Sequence, residues 1–254
     1  LNLIPEIVSS GAAVAAVAGF AAWGAVAPSS QLFGPTLCHT PSPRQIALTF
    51  DDGPNPAVTP QLLELFDRYS VHATFFLIGK FVRECPGLVQ EISTRGHLIG
   101  NHTDTHANLF FLSRMGIRDE LEKCQAAIAS AAHVAPPRWM RPPYGYRNPL
   151  LRAEIQGAGM QGLVMWSKIC RDWKPQPPGG LIGKLARVAR PNLPHGDIVL
   201  LHDGDHRALG GDRHHVVTAL EHWLPRWRDA GMEFVTMNSS TDIEMSATTQ
   251  PPRP

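Results

Sequence analysis

From residue 44 onward, short apolar runs alternate with stretches in which apolar residues recur every three or four positions. The runs at 46–50, 73–78, 97–101, 139–141, 162–166, 197–202 and 233–237 read as buried strands. Between the first two, Leu62, Leu63, Phe66 and Tyr69 fall at helical spacing, as do Ile117, Leu121, Cys124 and Ile128 later, and 216–230 reads as a further helix. Gly96, Gly159, Gly196 and Gly231 stand just ahead of strands, where a helix end or tight turn needs a permissive backbone. Seven strands with helical crossovers predict a parallel sheet closed into a barrel.

The start of the chain is patterned differently. No Lys, Arg, Asp or Glu occurs between Glu6 and Arg44, and 11–27 is an unbroken run of small and apolar residues. Residues 1–27 therefore read as a signal peptide or membrane anchor, the alternative being a buried helix of the soluble domain. Ala25-Val26-Ala27 has the small-x-small form of a cleavage site, but Pro28 directly after it disfavours cutting and tips the reading towards an uncleaved anchor. The Pro- and Ser-rich stretch 28–43 reads as a linker, 44–237 as one catalytic domain, and 238–254 as a disordered tail. The expected location is outside the cytoplasm: anchored in a membrane and facing the periplasm or exterior, or secreted.

Composition narrows the class. Of 254 residues, 43% are hydrophobic and 18% charged, enough apolar material for a large core and unlike a disordered or collagen-like chain. Lys and Arg total 23 against 22 Asp and Glu, so the whole-chain charge offers nothing to nucleic acid, and no nucleic-acid partner is expected. Cys38, Cys85, Cys124 and Cys170 form no C-x-x-C pair, which excludes a zinc ribbon or a thioredoxin-type site and leaves up to two disulfides open.

The candidate chemistry lies at the strand ends. Asp51 and Asp52 follow the first strand, and His102 and His106 the third. Arg141 ends the fourth, Asp172 lies just past the fifth, and His202 closes the sixth. In a parallel barrel all these ends meet on one face, where such folds build active sites. Two histidines four residues apart can reach one metal, and with one carboxylate they leave open positions for water, as catalytic sites do. Taken singly, a surface histidine pair and a polar Asp-Asp-Gly-Pro turn are the plainer readings; the shared placement favours a site. No Glu follows the first histidine, which excludes a zincin. His206, His214 and His215 read as part of a solvated loop, and Trp139, Tyr146 and Trp173 as aromatics near the site face that a sugar ring could stack on.

Thr49-Phe50-Asp51-Asp52-Gly53-Pro54, His102-Thr103-Asp104-Thr105-His106, Arg141-Pro142-Pro143-Tyr144, Asp172-Trp173 and Leu200-Leu201-His202 resemble, in order, the successive motifs of the polysaccharide deacetylase family (the NodB-homology group, carbohydrate esterase family 4). The resemblance spans about 44–237 and implies a distorted (β/α)7 barrel, an α/β fold. It implies that Asp52, His102 and His106 hold a divalent metal, usually zinc, with cobalt, manganese or nickel in some members. Asp51 would be the base that deprotonates the attacking water, and His202 the acid that protonates the departing amine. Arg141 would position Asp51, and Asp172 would orient His202. The Tyr144 backbone N–H would stabilise the oxyanion, and Trp173 and Leu200 would wall an acetyl pocket. Ile169 departs from the family pattern, which commonly has an Asp there, and Cys170 beside it reads as a buried inert thiol.

The expected activity is metal-dependent removal of N-acetyl groups from a glycan, peptidoglycan or a chitin-like polymer. The competing readings are an O-acetyl esterase on xylan, a deacylase of a lipid-linked amino sugar, and a catalytically silent glycan-binding barrel.

Overall fold

The computed structural model describes residues 4–190 and 193–238. Among the described residues, ten strands form one sheet: β1 (Thr36–Leu37), β2 (His39–Thr40), β3 (Gln45–Gly53), β4 (Thr74–Leu77), β5 (Leu98–Asn101), β6 (Trp139–Met140), β7 (Gly162–Val164), β8 (Lys168–Ile169), β9 (Gly196–His202) and β10 (Glu233–Phe234). The helices are α1 (Ile4–Val26), α2 (Thr59–Tyr69), α3 (Gly79–Glu84), α4 (Pro86–Thr94), α5 (Arg114–Ala132), α6 (Leu151–Gly157), α7 (Gly180–Leu185) and α8 (His214–Asp229). The strand order is β1-β7-β6-β5-β4-β3-β9-β2, with β10 also on β3 and β8 also on β9. Every pairing is parallel except β2 on β9, so the sheet curls into a nearly closed barrel.

Each of the seven expected runs contains a strand. Side chains alternate across β3: Ile46, Leu48 and Phe50 join the layer under the helices, whereas Ala47 packs inside the barrel with Phe76, Trp139, Val164 and Ile198. The helical patterns also hold. Leu62, Leu63 and Phe66 of α2 are buried, as are Ile117, Leu121, Cys124 and Ile128 of α5. Ser113 caps α5 by accepting from the Gly116 N–H at 3.3 Å. Gly96 takes φ +80°, as a turn before β5 requires, but Gly196 is needed for close approach instead: a Cβ there would lie 2.2 Å from the Gln45 carbonyl oxygen.

The stretch 28–43 is more than a linker. Thr36–Leu37 pairs with β7, His39–Thr40 pairs with β9, and Gln31 clamps the turn leading into β1 by donating to the Thr36 carbonyl at 2.7 Å and accepting from its N–H at 2.8 Å. Two-residue strands carry no alternation to read, which is why the pattern shows only Pro and Ser. The end of α1 is also tied down. Buried Arg147 donates from its guanidinium to the carbonyls of Ala27 and Ser30 and from its backbone N–H to Ala25, giving donors to carbonyls a helix end leaves unpaired. Among the described residues no helix is long and apolar enough to cross a membrane, so the anchor expected at 11–27 gains no support there. The tail read at 238–254 lies, from residue 239 on, outside the described residues.

All four cysteines are free thiols, so neither disulfide that the count allowed is formed. Cys124 and Cys170 are buried, and burial pushes the Cys170 thiol up to about 12. It is therefore an inert thiol at neutral pH.

Candidate active site

The same alternation that buries Phe50 outward turns Thr49 and Asp51 inward. Arg141, at the end of β6 and fully buried, reaches both: Nη1 donates to Thr49 Oγ1 and Asp51 Oδ1, each at 2.8 Å. Its Nε and Nη2 donate to the carbonyls of Val164 and Met165, each at 2.9 Å, and its guanidinium lies 4.4 Å over the Phe76 ring. The buried cation is thus paired and donates from all three of its nitrogens, and it holds one oxygen of Asp51 in a fixed place.

Asp52 points elsewhere because the ladder slips. Asp51 is opposite Phe76 and Gly53 opposite Leu77, so Asp52 is an extra residue in the bulge, at φ 70°. The bend brings its backbone against Gly204, where a Cβ would stand 2.0 Å from the Asp52 carbonyl oxygen. Asp52 Oδ1 lies 3.5 Å from His102 Nε2 and 3.2 Å from His106 Nε2. The two histidines sit on a loop rather than a helix. That loop is shaped by the Asn101 side chain, which accepts from the Thr103 N–H at 2.8 Å, and by a two-point ion pair of Asp104 with Arg83 at 2.6 and 3.0 Å. Asp104 is accordingly a loop-holding residue.

Asp52, His102 and His106 are all buried and offer donor atoms within 4.8 Å of one another. Two observations fit this group to a cation. Asp52 Oδ1 is buried with no hydrogen-bond partner among the described residues. His102 Nδ1 lies 2.7 Å from the Arg141 carbonyl, which can only accept, so in the neutral ring Nδ1 carries the hydrogen and the Nε2 lone pair faces the carboxylate. Lone pair against anion is repulsive unless a positive charge lies between. Burial pushes His106 down to about 4, which keeps it neutral at pH 7.

On the other side, β9 runs beside β3 with His202 directly opposite Asp51. Asp172 grips His202 twice, accepting from its backbone N–H at 2.8 Å and from Nδ1 at 3.0 Å. Burial opposes the charge on His202, but the Asp172 carboxylate outweighs it and lifts the imidazole to about 9. Asp203, unassigned from sequence, is fully buried behind this pair and accepts from Thr59 Oγ1 at 2.5 Å; burial pushes it up to about 7.

A cleft of about 510 Å³ brings these groups together. Asp51, Asp52, His102, His106 and His202 line it with Tyr144, Tyr146, Trp173 and Leu200, while Arg141 and Asp172 stand behind Asp51 and His202, which they hold. Tyr144 takes φ 59° on the turn at the rim, a conformation uncommon outside glycine, and its ring meets His106 at 4.8 Å. The Trp173 ring stands edge-on to His202 at 5.0 Å. Ile169, at the position of the departure from the family motif, forms part of the wall. Trp139 does not reach the cleft: it is buried in the barrel interior and donates to Asn238. His214 bonds Asp212, and His215 approaches the Asp172 carbonyl at 2.9 Å. His206, read as a solvated loop residue, enters the cleft beside Asp52, and nothing in its spacing signals this.

Comparison with known proteins identifies the family. Residues 39–163 match the family model for polysaccharide deacetylases. A chitooligosaccharide deacetylase of Bradyrhizobium sp. is 37% identical over 196 residues, 75% of this chain and 87% of that protein. A peptidoglycan-N-acetylglucosamine deacetylase of Bacillus cereus is 37% identical over 194 residues, 76% of this chain and 86% of that protein. A solved peptidoglycan N-acetylglucosamine deacetylase superposes with a TM-score of 0.71 at 30% identity, covering 81% of this chain and 91% of that one. With relatives this similar aligned along most of their length, and with one barrel shared, the chain belongs to the polysaccharide deacetylase family.

Proposed function

We propose that this protein hydrolyses N-acetyl groups on a glycan built from N-acetylglucosamine, peptidoglycan or a chitin-like polymer, and that it uses a divalent cation held by Asp52, His102 and His106. The observation that carries the reading is the unpartnered, buried Asp52 Oδ1 facing two imidazole nitrogens, beside Asp51 and His202 paired across β3 and β9. Zinc fits a set of two imidazoles and one carboxylate, with cobalt, manganese or nickel as substitutes. When bound there, the cation supplies Lewis acidity, which makes water more acidic and steadies negative charge on the carbonyl oxygen.

The chain's own residues do the rest. Arg141 occupies Asp51 Oδ1, so Oδ2 is left to accept a proton from the attacking water. The water oxygen bonds to the acetyl carbon, and the N–H of Tyr144 offers a donor to the developing oxyanion. Protonated His202 gives its proton to the nitrogen as the carbon–nitrogen bond breaks, leaving acetate and a free amine on the sugar. Trp173 and Leu200 wall the space for the acetyl methyl. Peptidoglycan and chitin lie outside the cytoplasm, so this reading carries with it an exported protein.

Acetate release tests the proposal. Chitooligomers and peptidoglycan should yield acetate, a chelator should abolish the yield, and added zinc or cobalt should restore it. Release from acetylxylan or a lipid-linked sugar alone would move the assignment to another substrate, and bound glycan with no acetate would make the barrel silent.

A pH profile tests the acid. His202 is lifted to about 9, above the ordinary histidine value near 6.5, so the protonated form required for turnover persists to that pH and is lost above it. Asp172→Asn removes the carboxylate that lifts it, and the alkaline limb of kcat/KM is expected to fall by at least about 2 pH units. An unmoved limb would take His202 out of the acid role.

A further inference from the structure

His106 differs from His102 in one respect. His102 Nδ1 has the Arg141 carbonyl, but His106 Nδ1 is buried and has no hydrogen-bond partner among the described residues. A histidine that binds metal ordinarily has its second nitrogen tied to an oxygen, which sets the ring's direction. His106 is also in the left-handed region, at φ 62°, so its backbone is unusual and its ring needs something else to hold it.

That role falls to His206. Its ring stacks on His106 with centroids 4.2 Å apart and planes 17° from parallel, while Tyr144 meets the other ring at 4.8 Å, edge-on. His206 Nδ1 also stands 3.5 Å from Asp52 Oδ2, the oxygen turned away from His102 and His106. It thus touches two of the three residues of the cation group while remaining outside that group. The loop that presents it is fastened on both sides: Lys80 Nζ donates to its carbonyl at 2.8 Å, Asn55 Nδ2 donates to the carbonyls of Asp203 and Gly211 at 2.8 and 2.7 Å, and Arg213 Nε donates to the carbonyl of Gly204 at 2.9 Å. His206 keeps a third of its side chain exposed, so its place in the cleft is not imposed by core packing.

We propose that His206 is a positioning residue of the metal centre, aligning His106 by stacking and Asp52 through its outer oxygen, so that it sets how tightly the cation is held. This rests on the metal reading above. It gives the Gly- and Asp-rich loop 204–213 a part in the chemistry that its composition does not suggest.

The test is metal affinity of the full chain, stripped of metal and titrated with zinc in competition with a chromophoric chelator. His206→Ala should bind about 10- to 100-fold more weakly than wild type. His206→Phe, which retains a stacking ring but no nitrogen, should recover part of that loss. Thermal unfolding of the stripped variants should match wild type, separating positioning from folding. Visible absorption of the cobalt-loaded proteins supplies a second readout, because a distorted site changes the ligand-field bands even when it is full. Affinities within twofold of wild type and identical cobalt spectra in both variants would overturn the proposal. So would a cobalt spectrum showing one ligand fewer in His206→Phe, which would make His206 a ligand. A wild-type chain with no zinc affinity would sink the metal reading itself, and this inference with it.

Discussion

Replacing Asp51 with Asn should lower turnover roughly 1000-fold, within the range spanned by loss of a general base. The variant keeps the side-chain shape, and its amide oxygen still accepts from Arg141 Nη1, so the contact at 2.8 Å survives. What it loses is the capacity to take a proton. Asp52, which sits in the bulge and faces the imidazoles, is untouched, so metal binding should persist. Stability should fall as well, by about 3 kcal/mol, because the buried Arg141 guanidinium is left without its one carboxylate. Carbonyl and hydroxyl acceptors still satisfy its other nitrogens, which is why the barrel should remain folded. Steady-state acetate release, with KM and kcat separated, reads the result. A variant within tenfold of wild type would remove Asp51 from the base role.

Replacing His106 with Ala should be as damaging by a different route. It takes away one of three donor groups, and the remaining pair of Asp52 and His102 is too few to hold a cation against water. Turnover at micromolar metal should fall by at least about 100-fold and recover only in part as metal is raised. The same change at His214 or His215, whose contacts are to Asp212 and to the Asp172 carbonyl, should leave metal dependence as it is. Full activity in His106→Ala at trace metal would contradict the assignment of this group.

Much of this site was legible before the fold. The strands that carry Asp51, His102, Arg141 and His202 are apolar runs bounded by turn residues, and their ends had to meet once the sheet curled. The family resemblance then assigned Asp51 and Asp52 different expected roles. The reason they diverge in space, a bulge at Asp52 with a left-handed backbone, leaves only the following Gly-Pro as a trace. Of the two-residue strands, β6 and β10 lie within the apolar runs at 139–141 and 233–237, whereas β1, β2 and β8 were not legible, since no such run marks them. His206 was missed for a related reason. Its partners lie more than 90 residues away in sequence, and a Gly- and Asp-rich loop has no period that says which way a ring will turn. Arg147 carries no signal in the sequence, yet three backbone carbonyls at the end of α1 and in the segment after it draw it fully inside.

Metal content of three purified proteins, measured by elemental analysis after dialysis, addresses the central assignment most directly. Wild type and Asp51→Asn should each retain one divalent ion per chain, and His106→Ala far less. Equal content in all three, or none in wild type, would contradict a cation held by Asp52, His102 and His106.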